Sequence, residues 1–264
     1  MHQIQAWQMH QTAQPMQQAK LSISALSADE VLVRVAGCGV CHTDLGFFYE
    51  GIRTVKSLPL TLGHEISGVV EDTGSGSKNW LGKSVIVPAV LPCGECELCR
   101  KGRGTICRQQ KMPGNHIDGG FASHVVVPSQ YLCLVAVENE TIQFGDSGVT
   151  LKELSVIADA VTTPFQAVKN SGLGEKGLAV FIGVGGIGGF GVQIAKAMGA
   201  SVVAIDVDER RLQLISKHGA DVVFNPKELD KKAMRKAIQS FISEKGLSQF
   251  EWHIFETSGT KAGQ

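Results

Sequence analysis

The 264-residue sequence predicts an α/β plus β fold, with a β-barrel-like module over residues 1–165 and a doubly wound parallel sheet over residues 166–264. Two patterns support this division. Before residue 165, short runs rich in Val and Ile are separated by Gly/Pro turns, and stretches with helical periodicity are few. After it, apolar strand-like runs alternate with helix-period segments, which is typical of a parallel sheet covered by helices.

The individual elements follow from these patterns. In the first module, strands are predicted over residues 31–35, 66–71, 84–88 and 122–128. A cysteine-rich lobe over residues 93–107 is inserted after the third of them. In the second module, strands are predicted over 178–182, 201–206, 221–224 and 252–256. Helices are predicted over 186–198, 208–218 and 231–245, with a glycine directly after each.

Composition excludes several classes of function. The 25 Lys and Arg residues balance 25 Asp and Glu, so an electrostatically driven nucleic-acid partner is not expected. No stretch approaches the roughly 20 apolar residues of a membrane span. The first residues, MHQIQAWQMHQTAQ, lack the apolar core of a signal peptide. These features predict a cytoplasmic protein without a membrane partner.

Seven cysteines are present, and four of them lie in the stretch PCGECELCRKGRGTIC. An odd number argues against a framework made only of disulfides. The C-x2-C-x2-C-x7-C spacing is typical of thiolates that share one tetrahedral metal ion. The expected ligands of this metal ion are Cys93, Cys96, Cys99 and Cys107. Cys38 and Cys133 are expected to be small buried apolar residues.

A glycine-rich stretch, AVFIGVGGIGG, contains the pattern G-x-G-x-x-G between a predicted strand and a predicted helix. In that context the pattern predicts a turn that approaches the diphosphate of a dinucleotide at a helix N-terminus. The glycines concerned are Gly183, Gly185, Gly186 and Gly188. The alternative is a plain glycine-rich turn followed by an Asp that caps a helix.

Asp206 ends the next predicted strand, 18 residues after Gly188. A carboxylate there accepts from both ribose hydroxyls and repels a 2′-phosphate, so NAD is favoured over NADP. Arg210 and Arg211 lie close by and keep NADP as a possibility.

Two further motifs, GCGVCHTD and GHEISG, contain a cysteine and a histidine suited to zinc, Cys41 and His64. Alone, each residue would more often be a buried core thiol or a hydrogen-bonded core histidine. A catalytic zinc needs three protein ligands and one open position, so the pair is incomplete without a third residue.

Taken together, GCGVCHTD, GHEISG, the four-cysteine lobe and GVGGIG resemble the zinc-dependent medium-chain alcohol dehydrogenases over essentially the whole chain. The resemblance implies a GroES-like β-barrel catalytic domain followed by a Rossmann domain. It also implies two zinc ions per chain, NAD as cofactor, a homo-oligomer, and oxidation of a CH–OH group.

The resemblance also implies roles for single residues. Cys41, His64 and Asp159 would hold the catalytic zinc, with Glu65 as a close, transient ligand during exchange. Asp159 alone could equally be a helix N-cap.

The residues around Cys41 also have implied roles. Thr43 would pass on the substrate proton, and Asp44 would orient the zinc-bound histidine. His42 would lie near the cofactor diphosphate, although an exposed loop histidine is nearly as good an interpretation. Many relatives end the proton relay with a histidine where this sequence has Gly46, so solvent or the cofactor ribose would end the relay here.

Some stretches, such as CHTDLGFFYEGIRT and MPGNHIDGGFASHVVVP, resemble one branch of the family more particularly. That branch oxidises 6-hydroxycyclohex-1-ene-1-carbonyl-CoA with NAD in anaerobic benzoyl-CoA degradation, which implies an acyl-CoA substrate. The alternatives are another secondary alcohol or polyol dehydrogenase, or a noncatalytic zinc- and NAD-binding product.

Two sets of residues could contact such a substrate. The first set could line the pocket or belong to the core, and comprises Phe47, Phe48, Tyr49 and Val90. The second set could bind CoA phosphates, although such a run of basic residues is more often simply a solvent-exposed face. It comprises Arg100, Lys101, Arg103, Arg108 and Lys111.

A full doubly wound cofactor domain has six strands, and four are predicted here. The sequence therefore predicts the N-terminal part of a longer enzyme. Residues 1–264 alone are expected to bind zinc but to be poorly stable and inactive.

Overall fold

The computed structural model describes residues 2–135, 148–261 and 263. The chain forms two compact units, Met1–Asp159 and Ala160–Gln264. The predicted boundary at residue 165 lies six residues later. All four residues considered as ligands of a catalytic metal therefore belong to the first unit.

The first unit is built from antiparallel strands. One sheet has the order β2-β1-β4, and a second has the order β7-β3-β5-β6-β8. The strands are β1 (His2–Met9), β2 (Gln17–Ile23), β3 (Glu30–Gly39), β4 (Leu60–Thr61), β5 (Glu65–Thr73), β6 (Ser84–Val87), β7 (His124–Pro128) and β8 (Cys133–Leu134). The α-helices are α1 (His42–Tyr49) and α2 (Glu97–Arg100), and 3-10 helices cover Lys78–Trp80, Gly104–Ile106 and Glu153–Ala158.

The core of the first unit lies between these strands. Val31 and Val33 of β3 pack with Ile66 and Val70 of β5, and all four are buried. Residues that alternate along a strand point to one face, so each strand contributes every second side chain to this core. β3 pairs with β5 along most of its length, which carries the end of β3 next to the start of β5.

The second unit is a parallel four-stranded sheet with the order β11-β10-β9-β12. Its strands are β9 (Leu178–Ile182), β10 (Ser201–Ile205), β11 (Val222–Phe224) and β12 (Trp252–Glu256). Its helices are α3 (Thr162–Asn170), α4 (Gly186–Ala197), α5 (Glu209–Ser216) and α6 (Lys231–Lys245). Two buried clusters of apolar side chains lie against the sheet, one with α4 and α5 and one with α6.

The predicted fold class is confirmed: a GroES-like antiparallel module is followed by a Rossmann-type parallel sheet. The bounds of β9, α6 and β12 agree with prediction to the residue. The sequence patterns did not predict β1, β2, α1 or α3. Within the described part of the chain, no helix is both long and apolar enough to cross a bilayer.

One prediction about the cysteines is wrong. Cys133, expected to be buried, is exposed. It lies on β8, a two-residue strand at the edge of the five-stranded sheet, and both residues of that strand are exposed. Cys38 is partly buried and packs against the valine and isoleucine core of the same sheet.

Candidate metal centres and dinucleotide-binding turn

Four side chains from separate parts of the first unit meet in one place, and we name them the mixed-ligand cluster. They are Cys41, His64, Glu65 and Asp159, and their ligand atoms all lie within 4.8 Å of one another. Cys41 is the N-cap of α1, and Glu65 is the first residue of β5. Oδ2 of Asp159 lies 3.6 Å from Sγ of Cys41 and 3.4 Å from Nε2 of His64. The three residues implied as zinc ligands are therefore adjacent.

The Asp44 carboxylate contacts Cys41 and His64 but is not itself a member of the cluster. Its Oδ2 accepts a hydrogen bond from the Cys41 N–H at 3.0 Å, and its Oδ1 accepts from the Gly63 N–H at 3.0 Å. Oδ1 also lies 3.4 Å from Nδ1 of His64. Asp44 is itself buried, so one carboxylate orients both the cysteine and the histidine.

Two glycines make room for the cluster, and the sequence reasoning missed both. Gly63 adopts a φ of +97°, a conformation that favours glycine, directly before His64. Gly39 is the cross-strand partner of Glu65, and a Cβ on it would lie 2.0 Å from Oε2 of Glu65. Gly39 in the GCG motif and Gly63 in the GHE motif are visible in the sequence, and their place beside the predicted ligands could have indicated that the site needs residues without side chains.

The cluster fits a divalent cation. His64 is fully buried, and among the described residues neither ring nitrogen has a partner in hydrogen-bond geometry. Burial by itself would lower the pKa of His64, but the Asp159 and Asp44 carboxylates and the Cys41 thiol outweigh it and raise the pKa to about 12. A site that stabilises positive charge so strongly suits a bound cation, and thiolate, imidazole and carboxylate are the ligand types that zinc takes.

The other predicted residues around Cys41 lie on α1. Thr43 is exposed, with Oγ1 at 3.7 Å from Sγ of Cys41. His42 is exposed, but it is the first residue of the helix and does not lie in a loop. Gly46 is buried, and a Cβ on it would lie 2.9 Å from Cδ1 of Ile52. A larger side chain at residue 46 would have to displace Ile52.

The four-cysteine lobe forms a second cluster in the first unit. Its sulfur atoms all lie within 4.8 Å of one another, and the measured pairs are separated by 3.4 to 3.9 Å. Thiolates that share a tetrahedral zinc at about 2.3 Å stand about 3.8 Å apart, so the geometry fits that ion. The backbone N–H groups of Glu95 and Cys96 lower the pKa of Cys93 to about 7, which favours its thiolate.

The glycine-rich turn, Gly183–Gly188, starts directly after β9 and includes the first residues of α4 in the second unit. Gly183 has a φ of +87°, as its predicted role in a tight turn requires. A Cβ on Gly188 would lie 2.0 Å from the Gly183 carbonyl oxygen, so helix and strand approach too closely for any side chain. By contrast, a Cβ on Gly185 would meet nothing nearer than Arg211 at 3.7 Å, and one on Gly186 nothing within 4 Å. The turn thus presents an open backbone surface that a diphosphate could approach.

Asp206 follows β10 and is buried beneath this turn. Its Oδ2 accepts from the Val184 N–H at 2.7 Å, and its Oδ1 accepts from the Asp208 N–H at 2.9 Å. The N-cap of α5 is Asp208, which accepts from the backbone of Arg210 and Arg211. The helix-capping alternative therefore applies to Asp208. The exposed Arg211 side chain lies 3.7 Å from Oδ2 of Asp206.

The two sets considered for substrate contact differ in exposure. Phe47 is buried against Met9, Leu60 and Leu62 and belongs to the core, whereas Tyr49 is 64% exposed. Phe48 and Val90 are partly buried. The five basic residues of the second set are all exposed.

Comparisons with known proteins agree with this architecture. Residues 27–137 match the family described as alcohol dehydrogenase GroES-like domain, and residues 186–263 match the family described as zinc-binding dehydrogenase. An alcohol dehydrogenase of Geobacillus stearothermophilus is 34% identical over 224 residues, covering 84% of this chain and 64% of the relative. An NAD-dependent alcohol dehydrogenase of Sulfolobus acidocaldarius is 31% identical over 242 residues, covering 88% and 67%.

Solved structures show the same fold. Galactitol-1-phosphate dehydrogenase from Escherichia coli superposes with a TM-score of 0.82 at 28% identity, covering 98% of this chain and 70% of that one. An alcohol dehydrogenase from Thermotoga maritima gives a TM-score of 0.84 at 25% identity, covering 98% and 72%. The chain spans between 57% and 67% of the length of the curated relatives it matches. On this sequence and structural likeness, the chain belongs to the zinc-dependent medium-chain alcohol dehydrogenase family.

Proposed function

We propose that the protein is a zinc- and NAD-dependent dehydrogenase that oxidises a secondary alcohol. The observation that carries the proposal is the mixed-ligand cluster, in which a thiol, an imidazole and two carboxylates converge within 4.8 Å. The open glycine-rich turn above Asp206 supports dinucleotide binding, and the alcohol dehydrogenases among the relatives support the type of reaction.

Cys41, His64 and Asp159 would hold the catalytic metal. When bound, zinc supplies Lewis-acid polarisation of the substrate hydroxyl, and NAD supplies the hydride acceptor. One thiolate and one carboxylate balance the two positive charges of the ion, and a neutral His64 adds none. Permanent ligation by Glu65 would make the site anionic, so we assign Glu65 to transient ligation during exchange. Four cysteines of the lobe would hold a second, structural ion.

Proton removal falls to Thr43. A hydroxyl accepts one proton while it donates another, so Oγ1 of Thr43 can relay the proton lost by the substrate. Thr43 is exposed and residue 46 carries no side chain, so the proton passes from Thr43 to solvent rather than to a histidine. Asp44 keeps Cys41 and His64 in position throughout.

For the substrate we propose 6-hydroxycyclohex-1-ene-1-carbonyl-CoA, oxidised to the 6-oxo thioester. Support comes from the stretches CHTDLGFFYEGIRT and MPGNHIDGGFASHVVVP, which resemble that branch of the family. The exposed basic residues between Arg100 and Lys111 offer charge for CoA phosphates.

A polyol is the second candidate substrate. It is favoured by the likeness to galactitol-1-phosphate dehydrogenase, which covers 98% of this chain. The phosphate of such a sugar alcohol could meet the same basic residues.

The test is NAD reduction by the purified full-length enzyme, since residues 1–264 alone are expected to be inactive, with a panel of CoA thioesters, free cyclic alcohols and polyol phosphates and with zinc counted per chain. We expect turnover of the cyclohexenyl thioester, two zinc ions per chain, and loss of turnover in Cys41→Ala. Turnover of polyols instead would replace the first substrate by the second. Full activity in Cys41→Ala would refute the metal mechanism. Light scattering of the same preparation tests the expected homo-oligomer.

A further inference from the structure

The peptide group between Gly183 and Val184 is held at both of its polar atoms. Its carbonyl oxygen accepts a hydrogen bond from Oγ1 of Thr257 at 2.6 Å, and its N–H donates to Oδ2 of Asp206 at 2.7 Å. Thr257 follows β12 and Asp206 follows β10, the two strands that flank β9. The first peptide of the glycine-rich turn cannot rotate without breaking both hydrogen bonds.

Thr257 also reaches the far end of the turn. A Cβ on Gly188 would lie 2.6 Å from its Oγ1, and the backbone N–H of Thr257 donates to the Ile182 carbonyl oxygen at 2.8 Å. Glycine has the most backbone freedom of any residue, so a turn with four glycines depends on outside contacts for a single conformation. Thr257 supplies such contacts at Ile182, at Gly183 and beside Gly188.

The direction of the Gly183 carbonyl matters for an anionic ligand. A carbonyl oxygen turned toward a phosphate repels it, whereas backbone N–H groups at a helix N-terminus attract it. The Thr257 hydroxyl, 2.6 Å away, holds this oxygen against Gly188, where a Cβ on Gly188 would lie 2.0 Å from it. The N–H groups that open α4 then face the ligand without a competing negative dipole.

We propose that Thr257 is a positioning residue for the dinucleotide diphosphate, acting through the Gly183 carbonyl. The inference rests on the proposed dinucleotide binding. It assigns to Thr257 a role in affinity for the diphosphate group and none in contact with the adenosine.

Two variants separate the hydroxyl from the shape of the side chain. Thr257→Val keeps the branched shape and removes the hydroxyl, and Thr257→Ser keeps the hydroxyl. Calorimetric titration with ADP-ribose and NMR titration with adenosine report binding with and without the diphosphate. We expect Thr257→Val to weaken ADP-ribose binding about tenfold, since a half-buried carbonyl loses its donor. Thr257→Ser should bind ADP-ribose within about twofold of the unaltered protein, and adenosine binding should be unchanged in both.

Each other outcome is decisive. Unchanged ADP-ribose binding in Thr257→Val would overturn the inference. Equal weakening of adenosine, or failure of Thr257→Val to fold, would also overturn it, because the hydroxyl would then stabilise the unit as a whole. If the unaltered protein binds neither ADP-ribose nor adenosine, the proposed function itself fails. If the unaltered protein binds ADP-ribose and Thr257→Val binds it equally well, only the inference about Thr257 fails.

Discussion

Oδ1 of Asp44 lies 3.4 Å from Nδ1 of His64 and accepts a hydrogen bond from the backbone N–H of the preceding Gly63. The other oxygen of the same carboxylate accepts from the Cys41 N–H. One buried side chain on α1 therefore contacts both the N-cap of that helix and the residues just before β5. The mixed-ligand cluster depends on this carboxylate although Asp44 is not one of its four members.

Replacing Asp44 should weaken the metal site. In Asp44→Ala, the Cys41 and Gly63 N–H groups lose their acceptor and His64 loses the carboxylate beside Nδ1. We expect zinc affinity at the mixed-ligand cluster to fall about 10- to 100-fold. Competition with a chromophoric chelator measures the affinity. Asp72→Ala is the matched control, because Asp72 also contacts a histidine, His2 at 2.7 Å, but at a partly exposed site outside both clusters. An equal loss in the control would refute the orienting role.

Removing one cysteine of the lobe should release one metal ion. In Cys99→Ser, we expect the zinc content to fall from two ions per chain to one and the thermal midpoint to drop, because a structural zinc contributes folding free energy. Metal analysis and calorimetry measure both. Cys133→Ser provides the control, since Cys133 is exposed and lies outside the two clusters. Two zinc ions retained in Cys99→Ser would contradict the assignment of the lobe.

Two aspartates that are two residues apart should behave differently. Asp206→Ala removes the acceptor of the Val184 N–H and the proposed ribose ligand, so we expect NADH binding to weaken about tenfold or more. Asp208→Ala removes the N-cap of α5 and an ion pair with the exposed Arg211 side chain at 3.9 Å, but no hydrogen bond to the glycine-rich turn. It should cost about 1 kcal/mol of stability and leave NADH affinity unchanged. Fluorescence titration with NADH decides the outcome, and similar affinities in the two variants would show that Asp206 has no special role.

Two glycines of α4 should differ in their tolerance of a methyl group. In Gly188→Ala the new Cβ would lie 2.0 Å from the Gly183 carbonyl oxygen, so we expect about 1–3 kcal/mol of destabilisation and weaker NADH binding. In Gly189→Ala it would meet the Val184 carbonyl oxygen at 3.6 Å, an ordinary contact. That variant should be neutral or slightly stabilised, since Ala favours a helix. Chemical denaturation of both proteins tests the difference, and equal stability would contradict the close approach.

Local signals explain why parts of the second unit could be predicted to the residue. Helix α6 begins after Asp230, whose carboxylate accepts from the Ala233 N–H, and ends at Gly246 with a φ of +64°. Both are short-range features that the sequence displays directly. Strand β1 is different, because half of its residues, HQIQAWQM, are polar and its apolar residues are not continuous. It forms by pairing with β2 and β4, a contact that no local pattern specifies.

The sequence by itself determined the kinds of ligand atom, the cysteine spacing and the glycine-rich turn, because each lies within a short stretch whose geometry is local. Tertiary structure decided that Cys41 meets Asp159, which is 118 residues away. It also made Asp208 the helix cap and left Asp206 to hold the turn. Such contacts arise when strands pair and pack over long separations in the chain, so they depend on how the whole unit closes around its core.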